Sequence, residues 1–533
     1  KMIVWESLLE AREDFGNEDE CMFDDAAEAR ESSSRLLSDP VGTVAAQRIA
    51  PRAEEVDEEG CKLGDGEVKF PQGLQNNLSD LKEADLCGIT LSPKYGGLGM
   101  SKTFYTAATE IISRADASLM NFFGLQGIGE TIEHFADDQS KDQYLPQMAE
   151  GELTGAMVLT EPDAGSDLAA IRTRSDLGAS QDPVTGEWKL KGTKRFITNG
   201  CGDVHVVLAR SEDPAKKSGG RGLSFFVTDR SNGRIHVRRI EHKLGIHGSP
   251  TCELYYDDAP ARLIGKRGAG LARYTAWLMA AARLGVAAQG LGISEAALRE
   301  AHHYADEREQ FGKKISQFPL VARMLTDMRM YTEASRALLY ATSYWVDMEE
   351  AAEKKGLKKE KRQYGKMNEM LTPMAKYYCC EWANHIASMA IQVHGGNGFM
   401  MEYPSQRLFR DARITNIYEG TSQIQIVWAA PRILRGVMDT LLATVNQTTF
   451  SDSDVTAWSA RVKEAEGLLQ EAIAHLNECE SDYRDLMAGD LTDLAIDVYI
   501  GYLFLHQADK SAAKKKMAQR FVLELLPRAQ MKH

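Results

Sequence analysis

Residues 392–425 read QVHGGNGFMMEYPSQRLFRDARITNIYEGTSQIQ. The segment contains a Gly-Gly turn, an Arg pair and an acidic residue, Glu419, ahead of a polar helix start. Packing alone does not explain so many unusual residues in one short stretch. We therefore interpret the segment as part of a functional site. The regions on either side of it then indicate the fold.

Helical periodicity dominates the chain on both sides of one β-rich region. Apolar residues recur at helical spacing in residues 76–155 and again after residue 266. Between them lie short β-rich runs, including GEWKLKGTKRFITNG, VHVVLARS, LSFFVTD and CELYYDD. The sequence predicts a mainly α protein with a central β domain, divided into an N-terminal helical extension (1–75), an N-terminal α domain (76–155), the central β domain (156–265), a C-terminal α-helical bundle (266–445) and a C-terminal helical extension (446–533).

Two segments of the second helical region carry their own predictions. Residues 348–366, MEEAAEKKGLKKEKRQYGK, are rich in charge and are predicted to be an exposed loop or solvated helix ends without a function. The capping signal Ser451-Asp452-Ser453 begins a pattern of about three helices over residues 451–527. This last part is predicted to pack on the core.

Composition narrows the class of protein. A chain of 533 residues is longer than a single hydrophobic core usually supports, so more than one domain is expected. A formal net charge of −14 gives no general attraction for nucleic acid or anionic lipid. The eight cysteines lack CxxC spacing, so neither a zinc site nor a disulfide framework is expected. No uninterrupted apolar run reaches about 18 residues, so stable membrane insertion is not expected. The N-terminus lacks a secretory pattern, which favours a cytoplasmic protein and leaves a processed mitochondrial form open.

Two further stretches have residue types suited to a polar ligand. LTEPDAGSD (159–167) combines hydroxyls, small residues and a Pro in a loop that enters the β region. In FITNG (196–200), Phe196 and Thr198 project to the same side of a strand, so one can pack on a flat ring while the other donates a hydrogen bond. An Asx-capped turn and an ordinary core strand remain the alternatives for each stretch taken alone.

Taken in order, LTEPDAGSD, FITNG, KLGIHGSPTCEL, REQFGKKI, QVHGGNGF and IYEGTSQIQ resemble the motifs of the acyl-CoA dehydrogenase family over residues 76–435. The resemblance implies that family's fold: an N-terminal helical domain, a β barrel-like domain and a C-terminal four-helix bundle, here with extra C-terminal helices. His247 and Pro319 replace the Arg and Gln of many relatives. These choices and the long ends resemble the larger bacterial members with N- and C-terminal extensions, the methylthiopropanoyl-CoA dehydrogenase-like proteins.

The resemblance also implies an FAD cofactor. In the family, FAD lies between the β domain and the bundle, and a neighbouring subunit supplies part of its site, which implies a homodimer or homotetramer. Leu159 and Thr160 match contacts to the flavin pyrimidine edge, Phe196 to the ring face and Thr198 to N5. The other matching cofactor positions are Ser166, Arg308, Gln310, Phe311, Gln392, Gly395, Gly396, Thr421 and Gln423.

Glu419 falls on the family's catalytic-base position. Some relatives carry the base immediately before the residue that matches Arg283, but Ala282 stands there in this chain. The resemblance implies α,β-dehydrogenation of an acyl-CoA to the 2-enoyl-CoA, in which Glu419 removes the α-proton and flavin N5 accepts the β-hydride. Electrons would then pass to electron-transferring flavoprotein. The expected substrate contacts are Ser166, His247, Arg283, Tyr418 and Gly420.

Several alternatives remain open in the sequence. The acyl chain can be straight, branched, alicyclic, carboxylated or thioether-containing. His247, His394 and the pair His302-His303 can instead be structural, satisfied by backbone groups. An acyl-CoA oxidase that uses O2 is a second enzyme class. A nucleic-acid-binding relative would use the basic cluster 510–520, and a membrane-surface protein would use GYLFL (501–505) as an anchor.

Overall fold

The computed structural model describes residues 5–532 except 14, 16, 18–20, 172–177, 182–186, 214 and 216. Residues 1–4 and 533, at the ends of the predicted extensions, lie outside the described residues. The chain divides into two units. We call them the bundle unit (Lys1–Glu13, Asp25–Arg30 and Val286–His533) and the sheet unit (Asp14–Asp24 and Glu31–Gly285).

Helices and one small hairpin precede the main sheet. Helix α5 (Lys102–Ala115) begins directly after Ser101, whose side chain accepts a hydrogen bond from the Phe104 N–H. Its residues Phe104, Ala108 and Ile112 follow helical spacing into one buried cluster. The elements are α1 (Trp5–Arg12), α2 (Ala26–Leu36), α3 (Ala53–Glu59), β1 (Lys62–Gly64), β2 (Glu67–Lys69), α4 (Gln72–Glu83), α5 (Lys102–Ala115), α6 (Met120–Phe123), α7 (Gln126–Phe135) and α8 (Asp138–Ala149), with shorter helical turns at Leu37–Gly42, Ala45–Ile49, Ala50–Arg52 and Pro93–Tyr95.

The central sheet follows, and the predicted β-rich runs form its main strands. Among the described residues its strands are β3 (Gly155–Val158), β4 (Gly178–Gln181), β5 (Trp188–Thr198), β6 (Val204–Arg210), β7 (Leu223–Asp229), β8 (Ile235–Ile240) and β9 (Thr251–Ile264). Their order is β3-β6-β7-β9-β5-β4, with β8 also paired to β9. Only β3 and β6 pair in parallel among these strands. The long β9 pairs β5 and β8 along its first part and β7 at its end, so it joins both halves of the sheet.

The sheet is buried on both faces. In β6, Val204, Val206 and Leu208 belong to one apolar cluster, whereas Val207 and Ala209 belong to another. Successive side chains of a strand point to opposite faces, so the two clusters lie on opposite sides of β6. This double burial explains why VHVVLARS has apolar residues on both faces of the strand instead of a strict apolar/polar alternation.

The bundle unit consists mainly of long helices. Pro319 stands at the first helical position of α10 (Pro319–Lys354), where a backbone N–H would have no partner within the helix. The charge-rich segment 348–366 forms the end of α10, a short turn and the start of α11 (Lys358–His394), as predicted. The elements are α9 (Ala276–Glu307, shared by both units), β10 (Glu309–Gln310), β11 (Lys313–Lys314), α10 (Pro319–Lys354), α11 (Lys358–His394), α12 (Pro404–Thr415), α13 (Ser422–Leu434), α14 (Val437–Leu442), α15 (Ser453–Glu478), α16 (Ser481–Lys510) and α17 (Ala512–Lys532).

The three C-terminal helices pack on the bundle. Asp452 caps α15 by accepting hydrogen bonds from the N–H groups of Asp454 and Val455, as its sequence predicts. Helix α16 packs against α10 and α13, and the whole GYLFL run is buried within it. Burial leaves this run no surface with which to anchor to a membrane.

Most cations of the basic cluster 510–520 pair with acidic side chains. Lys514 pairs with Glu333, and Lys515 lies 2.8 Å from Asp452. Arg520 pairs with Asp327 of α10. Neutralised cations attract phosphate weakly, so the cluster does not favour the nucleic-acid-binding alternative. The predicted mainly α fold, with a central sheet and extra C-terminal helices, is confirmed.

Within the part of the chain that the structure describes, one helical stretch, Gly270–Glu307, is long and apolar enough to cross a membrane by length and composition alone. Of its most apolar window, 61% is buried inside the protein. The core helix of a packed protein has the same properties, so the stretch is weak evidence for a span.

Candidate active site

Glu419 lies in the loop between α12 and α13, within the bundle unit. Glu419 and Gly420 both have left-handed backbone conformations, with φ of 54° and 91°. This conformation costs a residue with a Cβ about 1–2 kcal/mol, so the surroundings must hold it. A Cβ at Gly420 would also lie 2.6 Å from Gln425 Nε2, so the Gln425 amide would have to move. The loop therefore has one specific geometry at the predicted base.

Side chains bind the carbonyl groups on the C-terminal side of this turn. Gln425 Nε2 donates to the Glu419 carbonyl at 3.1 Å and to the Gly420 carbonyl at 2.9 Å. Lys376 Nζ, from the middle of α11, donates to the Gly420 carbonyl at 2.8 Å. The Thr421 hydroxyl accepts from the Ile424 N–H and so caps α13. These bonds hold the two left-handed peptides against the bundle.

The remainder of the loop is tied to α9 and α11. The Tyr418 hydroxyl donates to the Gln289 side chain, and burial raises the pKa of Tyr418 well above its ordinary value. Tyr418 is therefore a neutral hydrogen-bond donor at physiological pH. Asn416 donates to Glu381 Oε1 at 3.2 Å, and the Ser422 hydroxyl donates to the same oxygen. Glu381 thus joins the beginning and the end of the loop.

The predicted cofactor positions near the end of α11 are open. Gln392, Gly395 and Gly396 are exposed, and a Cβ at either glycine would meet nothing within 4 Å. His394 beside them is buried, with Nδ1 2.8 Å from the Ala390 carbonyl and its ring stacked on Tyr304. His394 is therefore structural, and it fixes the start of an open glycine turn. Of the other predicted positions, Gln423 is exposed in the first turn of α13.

Arg308, Gln310 and Phe311 lie in or beside the hairpin formed by β10 and β11. Phe311 and Gly312 both have positive φ, as a two-residue hairpin turn with matching twist requires. Arg308 and Gln310 are exposed, and the Phe311 side chain is 93% exposed at the tip. The Phe311 ring therefore does not pack into the core of its own unit.

Leu159 and Thr160 lie in the sheet unit, in the loop after β3. Their carbonyls accept hydrogen bonds from Lys194 Nζ at 2.8 Å and from the Arg195 N–H at 3.0 Å. Lys194 is fully buried and also donates to Glu161 Oε1 at 2.9 Å and to the Leu208 carbonyl at 2.8 Å. Burial lowers the pKa of Lys194, and the adjacent Glu161 carboxylate opposes that shift. The buried pair fixes the 159–161 loop to β5.

Phe196 and Thr198 occupy the irregular end of β5. The register with β9 shifts between Lys194 and Ile197, and Phe196 has a φ of 59°. Bulges of this kind re-aim a side chain. The Phe196 ring is 54% exposed and Thr198 is partly exposed, whereas Ile197 between them is buried. Phe196 and Thr198 are therefore both accessible, and the residue before Phe196 is bonded to the 159–161 loop through the Arg195 N–H.

Two other predicted residues have less defined surroundings. Ser166 is exposed between the Glu161–Ala164 bridge and a short helical turn capped by Asp167, which matches the Asx-turn alternative. Arg283 is partly buried in the part of α9 that belongs to the sheet unit. Among the described residues, no group of three or more His, Cys, Asp or Glu side chains is arranged to hold a metal ion.

His247, a predicted substrate contact, is engaged within its own unit. Its Nδ1 lies 3.0 Å from Asp57 Oδ1, and its Nε2 lies 3.0 Å from the Lys243 carbonyl. The hydrogen bond with Asp57 raises the pKa of His247 above its ordinary value of 6.5. These partners favour the structural alternative for His247, and contact with substrate stays a prediction.

The His247–Asp57 pair is expected to make stability depend on pH. Because the folded-state pKa is raised, the pair stabilises fully below the unfolded-state value of 6.5, and the contribution is lost as pH rises through the folded-state value. The difference in Tm between wild type and His247→Gln should therefore be largest near pH 5 and shrink toward about pH 8. Thermal unfolding of both proteins across this range checks it, and a constant difference would contradict the assigned charge.

Sequence reasoning missed the residues that hold the site loops. Lys376, Glu381 and Gln425 bind the base loop, and Lys194 binds the 159–161 loop. A signal was present for the lysines, because Lys376 interrupts the apolar run MLTPMAKYYCC and Lys194 occupies a buried position in β5. The partners lie 44 and 35 residues away in sequence, so the signal did not identify them.

Comparison with known proteins places the chain in a family. Models described as acyl-CoA dehydrogenase N-terminal, middle and C-terminal domains match residues 31–152, 156–259 and 268–434. The chain is 36% identical to 3-methylmercaptopropionyl-CoA dehydrogenase of Ruegeria pomeroyi over 421 residues, which are 74% of this chain and 69% of that protein. The chain therefore belongs to the acyl-CoA dehydrogenase family, whose members are oxidoreductases. The predicted likeness to the larger bacterial members is confirmed by this relative.

Solved structures show the same fold. A chain in a structure described as electron transferring flavoprotein of Acidaminococcus fermentans is 33% identical, with a TM-score of 0.65 over 76% of this chain and 98% of that chain. An acyl-CoA dehydrogenase of Bacillus anthracis complexed with FAD has a TM-score of 0.79 over 94% of this chain and 88% of that chain. At 22% identity, the second likeness shows the fold alone, and it extends to most of the terminal regions.

Proposed function

We propose that this protein is an FAD-dependent dehydrogenase that converts an acyl-CoA thioester to its 2-enoyl-CoA, with Glu419 as the base. The observation that carries the proposal is the loop at Glu419. A carboxylate stands in a left-handed turn whose carbonyls are bound by Lys376 and Gln425. Such strain, maintained by surrounding side chains, is characteristic of functional positions.

The residues present fit FAD. Phe196 offers a ring that is 54% exposed for the flat face of the flavin, and Thr198, two residues further on, offers a partly exposed hydroxyl. Leu159 and Thr160 lie in a loop made rigid by Lys194, which suits a fixed edge of hydrogen-bonding groups. Gly395 and Gly396 leave open space in which the diphosphate of a neighbouring subunit's FAD can approach the backbone. When bound, FAD supplies the acceptor for the hydride from the β-carbon.

Glu419 performs the proton transfer in this proposal. The α-proton of a thioester is weakly acidic, so the carboxylate must be held at the α-carbon rather than left to diffuse there. Glu419 is partly buried, and its Oε2 is inaccessible to solvent. Substrate binding would exclude more water and make the carboxylate a stronger base. The Glu419 N–H is a candidate donor to the thioester oxygen, on which enolate charge develops.

A second copy of the chain is part of the proposal. Arg308, Gln310 and Phe311 are exposed, and a guanidinium with a nearby aromatic ring suits the diphosphate and adenosine of FAD. We assign them to the cofactor of a neighbouring subunit in a homodimer or homotetramer. The exposure of Phe311 supports this assignment because an apolar ring of that size gains from being covered.

Electron-transferring flavoprotein is the proposed electron acceptor. The 33% identity to a chain in the structure described as electron transferring flavoprotein of Acidaminococcus fermentans supports this electron acceptor. The acyl chain is less defined, but the 36% identity to 3-methylmercaptopropionyl-CoA dehydrogenase makes a short thioether acyl-CoA the first substrate to test. Straight, branched and alicyclic acyl-CoAs belong in the same panel.

Acceptor preference tests the proposed activity. The FAD-loaded protein is incubated with each acyl-CoA in air, with and without electron-transferring flavoprotein, and both 2-enoyl-CoA and peroxide are measured. We expect enoyl-CoA formation that requires the flavoprotein and produces little peroxide. Stoichiometric peroxide without it would identify an acyl-CoA oxidase, and no product with any acyl-CoA would refute the proposal. Salt-sensitive DNA binding in place of turnover would favour the nucleic-acid-binding alternative.

A further inference from the structure

A fully buried lysine lies beneath the base loop. Lys376 occupies the middle of α11, and its side chain is inaccessible to solvent. Its neighbours along the helix, Met374, Ala375, Cys379 and Cys380, are buried as well. Burying an ammonium in apolar surroundings costs free energy unless hydrogen-bond acceptors surround it. The groups that accept hydrogen bonds from Lys376 therefore indicate its role.

One acceptor is the carbonyl of the residue that follows the proposed base. Lys376 Nζ lies 2.8 Å from the Gly420 oxygen, and the amide of Gln425 lies 2.9 Å from the same oxygen. A carbonyl with two donors, one of them charged, has its peptide plane fixed more firmly than a carbonyl with one. The Glu419 carbonyl receives a longer bond, of 3.1 Å, from the same Gln425 amide.

The Gly420 carbonyl belongs to the backbone turn that carries the Glu419 side chain. Both residues are left-handed, and a Glu does not adopt that conformation without support. If the Gly420 carbonyl were released, the pair could relax toward ordinary backbone angles and carry the Glu419 carboxylate with it. Glu381, five residues along α11, fixes the ends of the same loop through Asn416 and Ser422. Helix α11 therefore supports the loop through two side chains, Lys376 and Glu381.

We propose that Lys376 is a positioning residue for proton abstraction: its buried ammonium, through the Gly420 carbonyl, holds Glu419 in the geometry required at the substrate α-carbon. The inference rests on the proposed function and adds to it a residue that contacts neither substrate nor cofactor. The ammonium takes no proton from the substrate and acts only through the backbone of the loop.

The test compares Lys376→Met with Lys366→Met. Met has a similar length without donors or charge, and Lys366 is an exposed residue of the same helix. Flavin reduction is followed after anaerobic mixing with an acyl-CoA and with its α-deuterated form. For Lys376→Met we expect normal FAD content and little change in KM. Flavin reduction should be slower by about 100-fold, which is the effect expected when the Glu419 carboxylate is misplaced by about 1 Å. The α-deuterium isotope effect on reduction should be larger than in wild type. Lys366→Met should match wild type.

If Lys376→Met folds and binds FAD, either of two results would overturn the proposal. One is an unchanged rate of flavin reduction. The other is a slower rate with the wild-type isotope effect, which would place the defect outside proton removal. If the Met variant does not fold, Lys376→Gln, which retains a donor, is measured in the same way. Failure of both variants to fold would show that Lys376 supports the bundle and not the base.

The outcome is separable from the proposed function. If wild type is not reduced by any acyl-CoA, the dehydrogenase proposal fails before a variant is considered. If wild type is reduced and Lys376→Met is reduced equally fast, only the role of Lys376 fails.

Discussion

Replacing Glu419 by Gln is expected to leave FAD binding intact and to reduce turnover by about 10²–10⁴-fold or more, the range that a general base contributes. Gln has nearly the same shape, so the left-handed turn and its bonds from Lys376 and Gln425 should persist. The amide cannot accept the α-proton. The effect should therefore appear in the rate of flavin reduction, with acyl-CoA binding largely retained.

The matched control for this prediction is Glu464→Gln. Glu464 is an exposed carboxylate on α15, so its neutralisation changes the net charge equally without touching the site. Stopped-flow flavin reduction and FAD content are measured for both variants. Wild-type turnover by a flavin-loaded Glu419→Gln protein would remove Glu419 from the role of base.

The second large effect is expected in the sheet unit, where Lys194→Met should lower the free energy of unfolding by about 3–5 kcal/mol, the usual cost of removing one partner of a buried ion pair. Lys194 is fully buried, and Glu161 is 5% exposed. The substitution leaves the Glu161 carboxylate in the interior without this cation and removes a donor from the Leu159 and Leu208 carbonyls. The 159–161 loop would loosen, so FAD affinity should fall as well.

Two further variants isolate the charge effect. Lys189→Met removes an exposed lysine from the same strand and should be nearly neutral. The double variant Lys194→Met with Glu161→Leu removes both charges and should recover part of the loss, because apolar replacement of a whole buried pair is often tolerated. Denaturant unfolding gives the free energy of unfolding of wild type, Lys194→Met, Lys189→Met and the double variant. Equal stability of Lys194→Met and wild type would contradict the buried-pair account.

Local patterns predicted most of the fold. The runs that became β5, β6, β7 and β9 were recognisable because apolar and β-branched residues cluster between turns. The start of α15 was recognisable because Asp452 caps within its own segment. Each of these signals lies within a few residues, which is the range over which sequence patterns carry structural information.

The geometry of the candidate site was less accessible from sequence. The motif around Glu419 indicated where the base lies but not that Glu419 itself has a positive φ. The contacts that hold the turn come from Lys376 and Glu381 on α11, far away in the chain. The bulge that turns Phe196 outward depends on the register between β5 and β9. Such features arise from tertiary packing, and local spacing does not determine them.

The most direct test of the account is anaerobic mixing of the purified, FAD-loaded protein with a panel of acyl-CoAs, followed by measurement of the flavin absorbance and of the acyl product. The account predicts that at least one acyl-CoA bleaches the flavin and yields one equivalent of the 2-enoyl-CoA per flavin, and that Glu419→Gln binds the same acyl-CoA without rapid bleaching. An oxidised flavin that remains unchanged with every acyl-CoA, or bleaching that Glu419→Gln reproduces at the wild-type rate, would contradict it.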